Sequence, residues 1–290
     1  MDCRPLSELR AADEALFGGK SASLGELIAA GMPVPPGFAV SSAAGEDDLD
    51  EVVERYEAIG APPVAVRSSA IGEDSADASF AGLQDTYLWV RGADQVRQAV
   101  RDCWASLSNP EAVAYRKRMG VEHEPAMGVT IQEMVDAVVS GVLFTCNPVS
   151  GDPSTVAVNA SWGLGLAVVG GEVTPDEYRV SKVTGEMLHR RVGTKQVEYR
   201  PGPAGPESAE VPAERRDAAC LDEAQLAALV ELARRVERHF GDHRDVEWAI
   251  DPAGDVFLLQ SRPVTVAPRQ PGQRKSAMQL VMGTFGADRS

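Results

Sequence analysis

The chain has 290 residues, 44% of them hydrophobic and 24% charged, with a net charge of −15. This is the composition of an ordinary globular protein of one large domain or two lobes, and the acidic balance excludes nucleic acid and anionic membranes as general partners. The four cysteines (Cys3, Cys103, Cys146 and Cys220) show no CxxC spacing, and no apolar run approaches the roughly 18 residues of a membrane span. A structural zinc site is therefore disfavoured, and a reducing cytoplasmic setting is expected.

In chain order, a glycine pair and Lys20 open a predicted helix whose Leu24, Leu27 and Ile28 share one face, with Gly31 as its stop signal. An acid-rich helix is predicted around residues 46–58, on the surface. VAVRSS (64–69) reads as a strand ending in Arg67, followed by a small-residue polar loop and a second strand at TYLWV. Residues 94–119 read as helical. Strands are predicted at 129–135, 141–145 and 155–161, and another at YRVSK. Residues 200–219, rich in Pro, Ala and Glu, read as a loose surface connection. A long helix spans about 223–240, opened by an Asp222/Gln225 capping box and closed at Gly241. Strands mixed with intervening helices predict an α+β or α/β protein in two lobes.

The segment DVEWAIDPAGDVFLLQSRPV contains two alternating runs around the turn Pro252–Ala253–Gly254–Asp255. If Asp251 and Val256 close that turn, antiparallel register sets Glu247 opposite Gln260. Side-chain alternation then turns Glu247, Gln260 and Arg262 to one face and Phe257 and Leu259 to the other. A carboxylate and a carboxamide oxygen suit Mg²⁺, and Arg262 beside them suits a transferring phosphoryl group. A solvent-facing polar side of a hairpin would show the same alternation, so geometry alone leaves both readings open.

RSSAIGEDSADASFAGLQDTY joins a strand-end arginine to a loop of Ser, Gly and Ala, whose backbone N–H groups could approach phosphate oxygens. A polar surface loop would look the same, and neither the P-loop nor the GxGxxG pattern is present. His123, His189, His239 and His243 show no metal-ligand spacing and are read as solvated; no GxSxG elbow occurs.

Together, GGKSASLGELIAAGMPVPPGF, VAVRSSAIGEDSADASFAGLQDTYL, IQEMVDAVVSGVLFTCNPVSG, ASWGLGLAVVGGEVTPDEYRVSK and DVEWAIDPAGDVFLLQSRPVT resemble, in order, one known domain. It is the ATP-binding domain shared by phosphoenolpyruvate synthase, pyruvate phosphate dikinase and rifampicin phosphotransferase, matched from about residue 17 to 267. The resemblance implies an α+β, ATP-grasp-like fold with an N-terminal lobe over 1–133, a C-terminal lobe over 134–267 and a peripheral tail over 268–290. It implies ATP and Mg²⁺ as ligands. Lys20 and Arg67 match the family's phosphate-contacting cations, and Ser79, Phe80, Ala81 and Gly82 its phosphate-covering loop. Thr86 matches a threonine near the nucleotide, and Gln132, Glu133, Met134 and Val135 the strand bordering adenine. Glu247 and Gln260 match the metal-ligating pair and Arg262 the catalytic arginine, which agrees with the hairpin register.

Three departures from the family pattern stand out. The stretch between Lys20 and Arg67 is short, Leu166 stands where the family's WGLGE has an acid, and no GGxxSH or GGxTCH phosphohistidine motif occurs. The expectation is an AMP-forming phosphotransferase subunit of a split dikinase-type system, as in phenylphosphate-synthase-like enzymes. A separate protein would supply the histidine and the small-molecule acceptor site. A direct kinase of a small molecule and a nucleotide-binding module without catalysis are the alternatives.

Overall fold

The computed structural model describes residues 3–71, 85–109, 126–203 and 205–264. The chain divides into two compact units, one running to Met134 and including Gly202–Gly205, the other comprising Val135–Pro201 and the residues from Pro206 on.

In the first unit, short runs rich in β-branched and aromatic residues form β1 (Cys3–Pro5), β2 (Gly37–Val40), β3 (Val64–Ala70), β4 (Thr86–Val90) and β5 (Met127–Glu133). They pair antiparallel in the order β1-β2-β5-β3-β4. The helices are α1 (Glu14–Phe17), α2 (Gly19–Ala29), α3 (Leu49–Ala58) and α4 (Ala93–Ser106). Val64 and Val66 of β3 join Val129 and Ile131 of β5, and against them pack Leu49, Val52 and Tyr56 of α3 and Val96, Val100 and Cys103 of α4. The acid-rich helix is therefore amphipathic rather than simply exposed: Asp50, Glu54 and Glu57 face solvent while Leu49, Val52, Val53 and Tyr56 enter the core. Alternation sends Ala65, Arg67 and Ser69 to the opposite face of β3, toward α2. That strand is buried on both sides along its whole length.

The second unit holds β6 (Val139–Phe144), β7 (Thr155–Trp162), β8 (Asp176–Ser181), β9 (Met187–Arg191), β12 (Arg244–Ile250) and β13 (Val256–Pro263) in the antiparallel order β13-β12-β6-β7-β8-β9. A separate hairpin pairs β10 (Val197–Gly202) with β11 (Gly205–Glu210). The helices are α5 (Leu166–Val169), α6 (Ala213–Arg216) and α7 (Glu223–Phe240). α7 starts on a capping box in which Asp222 accepts from the Gln225 N–H at 2.8 Å and Gln225 accepts from the Asp222 N–H at 3.0 Å. It ends at Gly241, which adopts the left-handed conformation at φ 77°. Its buried stripe of Leu226, Leu229, Val230, Ala233 and Val236 packs on β6 and β13.

The stretch 200–219 is not the loose connection its composition suggested. It supplies the end of β10, all of β11 and α6, formed by backbone pairing in a sequence with few β-branched residues. His243 likewise is not simply solvated: its Nδ1 lies 2.8 Å from Glu237 Oε1, and the same carboxylate receives Lys182 Nζ at 2.6 Å.

A fully buried ion pair joins Asp176 of β8 to Lys195. Asp176 also accepts from the backbone N–H of Gly193 at 2.9 Å and of Cys220 at 2.7 Å, and from the Tyr178 hydroxyl at 3.2 Å. Lys195 Nζ donates onward to the Gly193 carbonyl at 2.8 Å. Three chain segments distant in sequence thus meet on one carboxylate whose lone pairs are all used. All four cysteines are free thiols and buried, and no helix among the described residues is long and apolar enough to cross a membrane.

Candidate functional site

In the first unit, α1 and α2 are separated by Gly18 at φ 78°, and a side chain there would fall 2.1 Å from the Ser69 carbonyl oxygen. Only glycine permits this left-handed turn at so close an approach. The turn brings Lys20, in the first turn of α2, against the end of β3, where its Nζ donates to the Ser68 carbonyl at 3.0 Å. Arg67 is the residue before Ser68, and both cations are almost fully buried in a strongly acidic protein. Thr86 on β4 and Thr130 on β5 are the two cross-strand partners of Arg67, so the guanidinium stem is flanked on its own face by two threonines. Ser79, Phe80, Ala81 and Gly82 lie outside the described residues. Gln132 is buried, its Nε2 donating to the Pro35 carbonyl at 3.4 Å. The backbone N–H groups of Glu133 and Met134 donate to the carbonyls of Pro36 and Pro63, both at 2.9 Å. Val135 follows directly as the first residue of the second unit.

In the second unit, Glu247 pairs with Gln260 and Asp245 with Arg262 across β12 and β13. The route to that register differs from the expected one. The turn closes with Ile250 opposite Val256, one residue longer, and an irregularity between Glu247 and Trp248 restores the register farther along. At the turn end of β13, Leu258 is fully buried and Phe257 and Leu259 are half-buried. Beyond the irregularity, Asp245 and Glu247 share a face with Gln260 and Arg262.

Asp245 is the site residue that the sequence reading did not single out. The signal was present in the alternation Asp245–Val246–Glu247, which sets two carboxylates on one face of a strand. Its Oδ2 accepts from Arg262 Nε at 3.0 Å, while its buried Oδ1 has no hydrogen-bond partner among the described residues. Burial pushes the Asp245 carboxyl up to about 6 and Glu247 adds to this, against the opposing pull of Arg262. Two carboxylates, one of them with a buried oxygen that accepts no hydrogen bond, and a carboxamide oxygen form a hard-oxygen donor set that fits Mg²⁺. Among the described residues there is no group of three or more His, Cys, Asp or Glu that could hold a metal ion.

The charge on Asp245 therefore costs stability that a neutral residue would recover. A carboxyl held above its ordinary value favours the folded state most where it is protonated, so this contribution is full below about pH 4 and is lost as pH rises through about 6. Asp245→Asn keeps an acceptor for Arg262 and removes the buried charge. It is expected to stabilise the protein by about 1–2 kcal/mol at pH 7 and by much less at pH 4. Urea unfolding of both proteins at the two pH values checks this; a loss of stability at pH 7 would show that the Arg262 ion pair outweighs desolvation.

The loop from Trp162 to Glu172 is fastened to neighbouring strands. Gly163 N–H donates to the Val138 carbonyl and Leu164 N–H to that of Tyr199, both at 2.9 Å, and Ser140 Oγ donates to the Gly163 carbonyl at 2.6 Å. The Tyr199 hydroxyl donates to Glu172 Oε1 at 2.8 Å, closing the loop's far end. Leu166 begins α5 within this anchored segment and is half-buried.

The family model of the pyruvate phosphate dikinase AMP/ATP-binding domain matches residues 45–281. The chain belongs to this family. As a pyruvate phosphate dikinase-type AMP/ATP-binding domain it combines antiparallel sheets with helices in an α+β architecture. It is 40% identical over 310 residues to a probable phosphoenolpyruvate synthase of Methanothermobacter thermautotrophicus, an alignment covering 89% of this chain and 45% of that protein. It is 36% identical to the phosphoenolpyruvate synthase of Aeropyrum pernix, covering 88% of this chain and 41% of that one. It is also 37% identical to the prodigiosin synthesizing transferase PigC of Serratia marcescens, covering 86% and 31%. The chain thus spans less than half the length of these relatives. The first alignment is longer than the chain itself, so that relative carries positions without a counterpart here. Among solved structures, PH1788 from Pyrococcus horikoshii is similar at a TM-score of 0.46 and 13% identity, covering 91% of this chain and 97% of that one. D-Alanine–D-alanine ligase from Helicobacter pylori is similar at 0.43 and 11%, covering 88% and 56%.

Proposed function

We propose that this domain binds ATP with Mg²⁺ and passes a phosphoryl group, with formation of AMP, to a histidine on a separate domain or protein. The observation that carries the reading is the β12–β13 face, where Asp245 and Glu247 meet Gln260 and Arg262 in register. Lys20 and Arg67 would hold phosphate oxygens, and the Gln132–Val135 segment would border the adenine. Thr86, as a cross-strand neighbour of Arg67, would lie along the phosphate path, and residues 79–82 would cover it. Glu247, Gln260 and Asp245 would hold the metal; when bound, Mg²⁺ neutralises charge on the phosphate oxygens. Arg262, its Nε fixed by Asp245, would present its guanidinium to the group in transfer. The free cysteine thiols suit a cytoplasmic setting. We further propose the two lobes as residues 1–133 and 134–267, with 268–290 as a tail, and a small molecule as final acceptor on the partner.

A second reading, a nucleotide-binding module without catalysis, is favoured by one observation: Leu166 offers an apolar side chain where the family pattern has an acid. Isothermal titration calorimetry with ATP, with and without Mg²⁺, tests what both readings share. ATP is expected to bind more tightly with Mg²⁺ present. Binding that ignores Mg²⁺ would favour the non-catalytic module, and no binding at all would remove both.

A further inference from the structure

Ser21, Ser69 and Thr130 carry hydroxyl side chains that are buried where α2 meets the sheet of the first unit. Core hydroxyls are uncommon and are kept only where hydrogen bonds satisfy them. Here the bonds link two particular elements. Ser21 Oγ and Thr130 Oγ1 lie 2.7 Å apart, and Ser69 Oγ accepts from the Ser21 backbone N–H at 3.3 Å. Ser21 follows Lys20 directly, and Thr130 is the cross-strand partner of Arg67 on β5. The hydroxyl pair therefore ties the helix that carries one cation to the strand position beside the other. Gly18 seals the same junction from the other side, its Cα pressed against Ser69.

We infer that Ser21 and Thr130 are positioning residues that set the spacing between Lys20 and Arg67 for a polyphosphate. This rests on the proposed reading that those two cations bind ATP phosphates. A short helix such as α2, seated through its first turn, can rotate or slide by a fraction of an ångström when one seating contact is lost. A site built from converging charges tolerates little of that. Lys20 Nζ reaches the Ser68 carbonyl beside Arg67 while its backbone belongs to α2, so a shift of α2 strains that contact and moves the ammonium relative to Arg67. The effect should be felt by ligands that engage both cations and not by those held mainly through adenine and one phosphate.

The test is calorimetric titration of ATP and of AMP into the full chain and into Thr130→Val, Thr130→Ser, Ser21→Ala and Lys20→Ala. Thr130→Val conserves shape and removes the hydroxyl, so ATP is expected to bind roughly 3–10-fold more weakly while AMP stays within about twofold. Thr130→Ser, which restores a hydroxyl, should return ATP affinity to that of the unaltered chain. Ser21→Ala breaks the same bond from the other side and gives the same readout if Thr130→Val does not fold. Equal losses for ATP and AMP, no loss for either, or no difference between Thr130→Val and Thr130→Ser would each overturn the inference. If Lys20→Ala leaves ATP binding unchanged, the underlying reading of Lys20 fails as well. If Lys20→Ala weakens ATP binding and the hydroxyl variants are silent, only the positioning role is lost.

Discussion

Asp176→Asn is expected to destabilise the protein by about 3–5 kcal/mol, enough to remove much of the stability of an ordinary domain. The carboxylate is fully buried, and its two oxygens serve Lys195, two backbone N–H groups and a tyrosine hydroxyl. Asparagine has one acceptor oxygen, and its amide would turn donors toward donors. Lys195 would then be left charged, buried and without its counter-ion, the costliest way to break such a pair. The damage would extend beyond the pair. Asp176 holds the segment at Gly193–Lys195 and the segment at Cys220, between which lie β10 and the Tyr199 contacts to the Trp162–Glu172 loop. Urea denaturation followed by circular dichroism measures the loss. The companion variant Asp176→Asn with Lys195→Met removes both charges and should recover part of it, because the buried ammonium is gone. An unchanged midpoint in the single variant would show that water reaches the pair and that its burial is not what holds these segments.

The parts of this fold that could be read from the sequence are those in which local chemistry and tertiary context agree. The α7 boundaries were legible because Asp222, Gln225 and Gly241 each carry a specific capping role that the structure uses. β9, β10 and β11 were not, because Met187–Arg191 is an exposed edge strand without alternation and Gly205–Glu210 contains no β-branched residue. β9 pairs with β8 and β10 with β11, each its neighbour in the chain, through backbone hydrogen bonds that leave no side-chain pattern to read. The β12–β13 hairpin is the more instructive case. A simple turn count predicts Glu247 opposite Gln260, and that pair is formed, but only because a longer turn and a one-residue irregularity offset each other. Near the turn, where nothing offsets the shift, the inward residue is Leu258 rather than its neighbours. Asp245 lay within reach of the same argument two residues farther along. A charged residue at a strand end ordinarily reads as solvated, whereas Asp245 is almost fully buried.

Arg262→Lys is expected to lower AMP formation by about 10²–10³-fold in the presence of a competent phosphohistidine partner, roughly 3–4 kcal/mol of transition-state stabilisation. The reason lies in how the guanidinium is held. Arg262 Nε donates to Asp245 Oδ2 at 3.0 Å, and Asp245 is anchored in β12 by a carboxylate almost wholly buried. That bond fixes the plane of the guanidinium, so the remaining nitrogens point in a set direction. A lysine keeps the charge but has no Nε to be held and no planar fork, and its ammonium would settle on Asp245 itself. Affinity for ATP should fall much less, within about tenfold, because in the proposed site binding is shared with Lys20, Arg67 and the adenine-bordering segment. The readout is nucleotide product analysis beside calorimetric ATP binding, run with and without candidate partner proteins that carry a phosphohistidine motif. Without a partner the unaltered chain should consume ATP only slowly, since no acceptor histidine is at hand to take the group. A parallel fall in ATP affinity and in rate would assign Arg262 to ground-state binding. Rapid ADP formation from a small molecule alone would replace the histidine acceptor with a direct kinase.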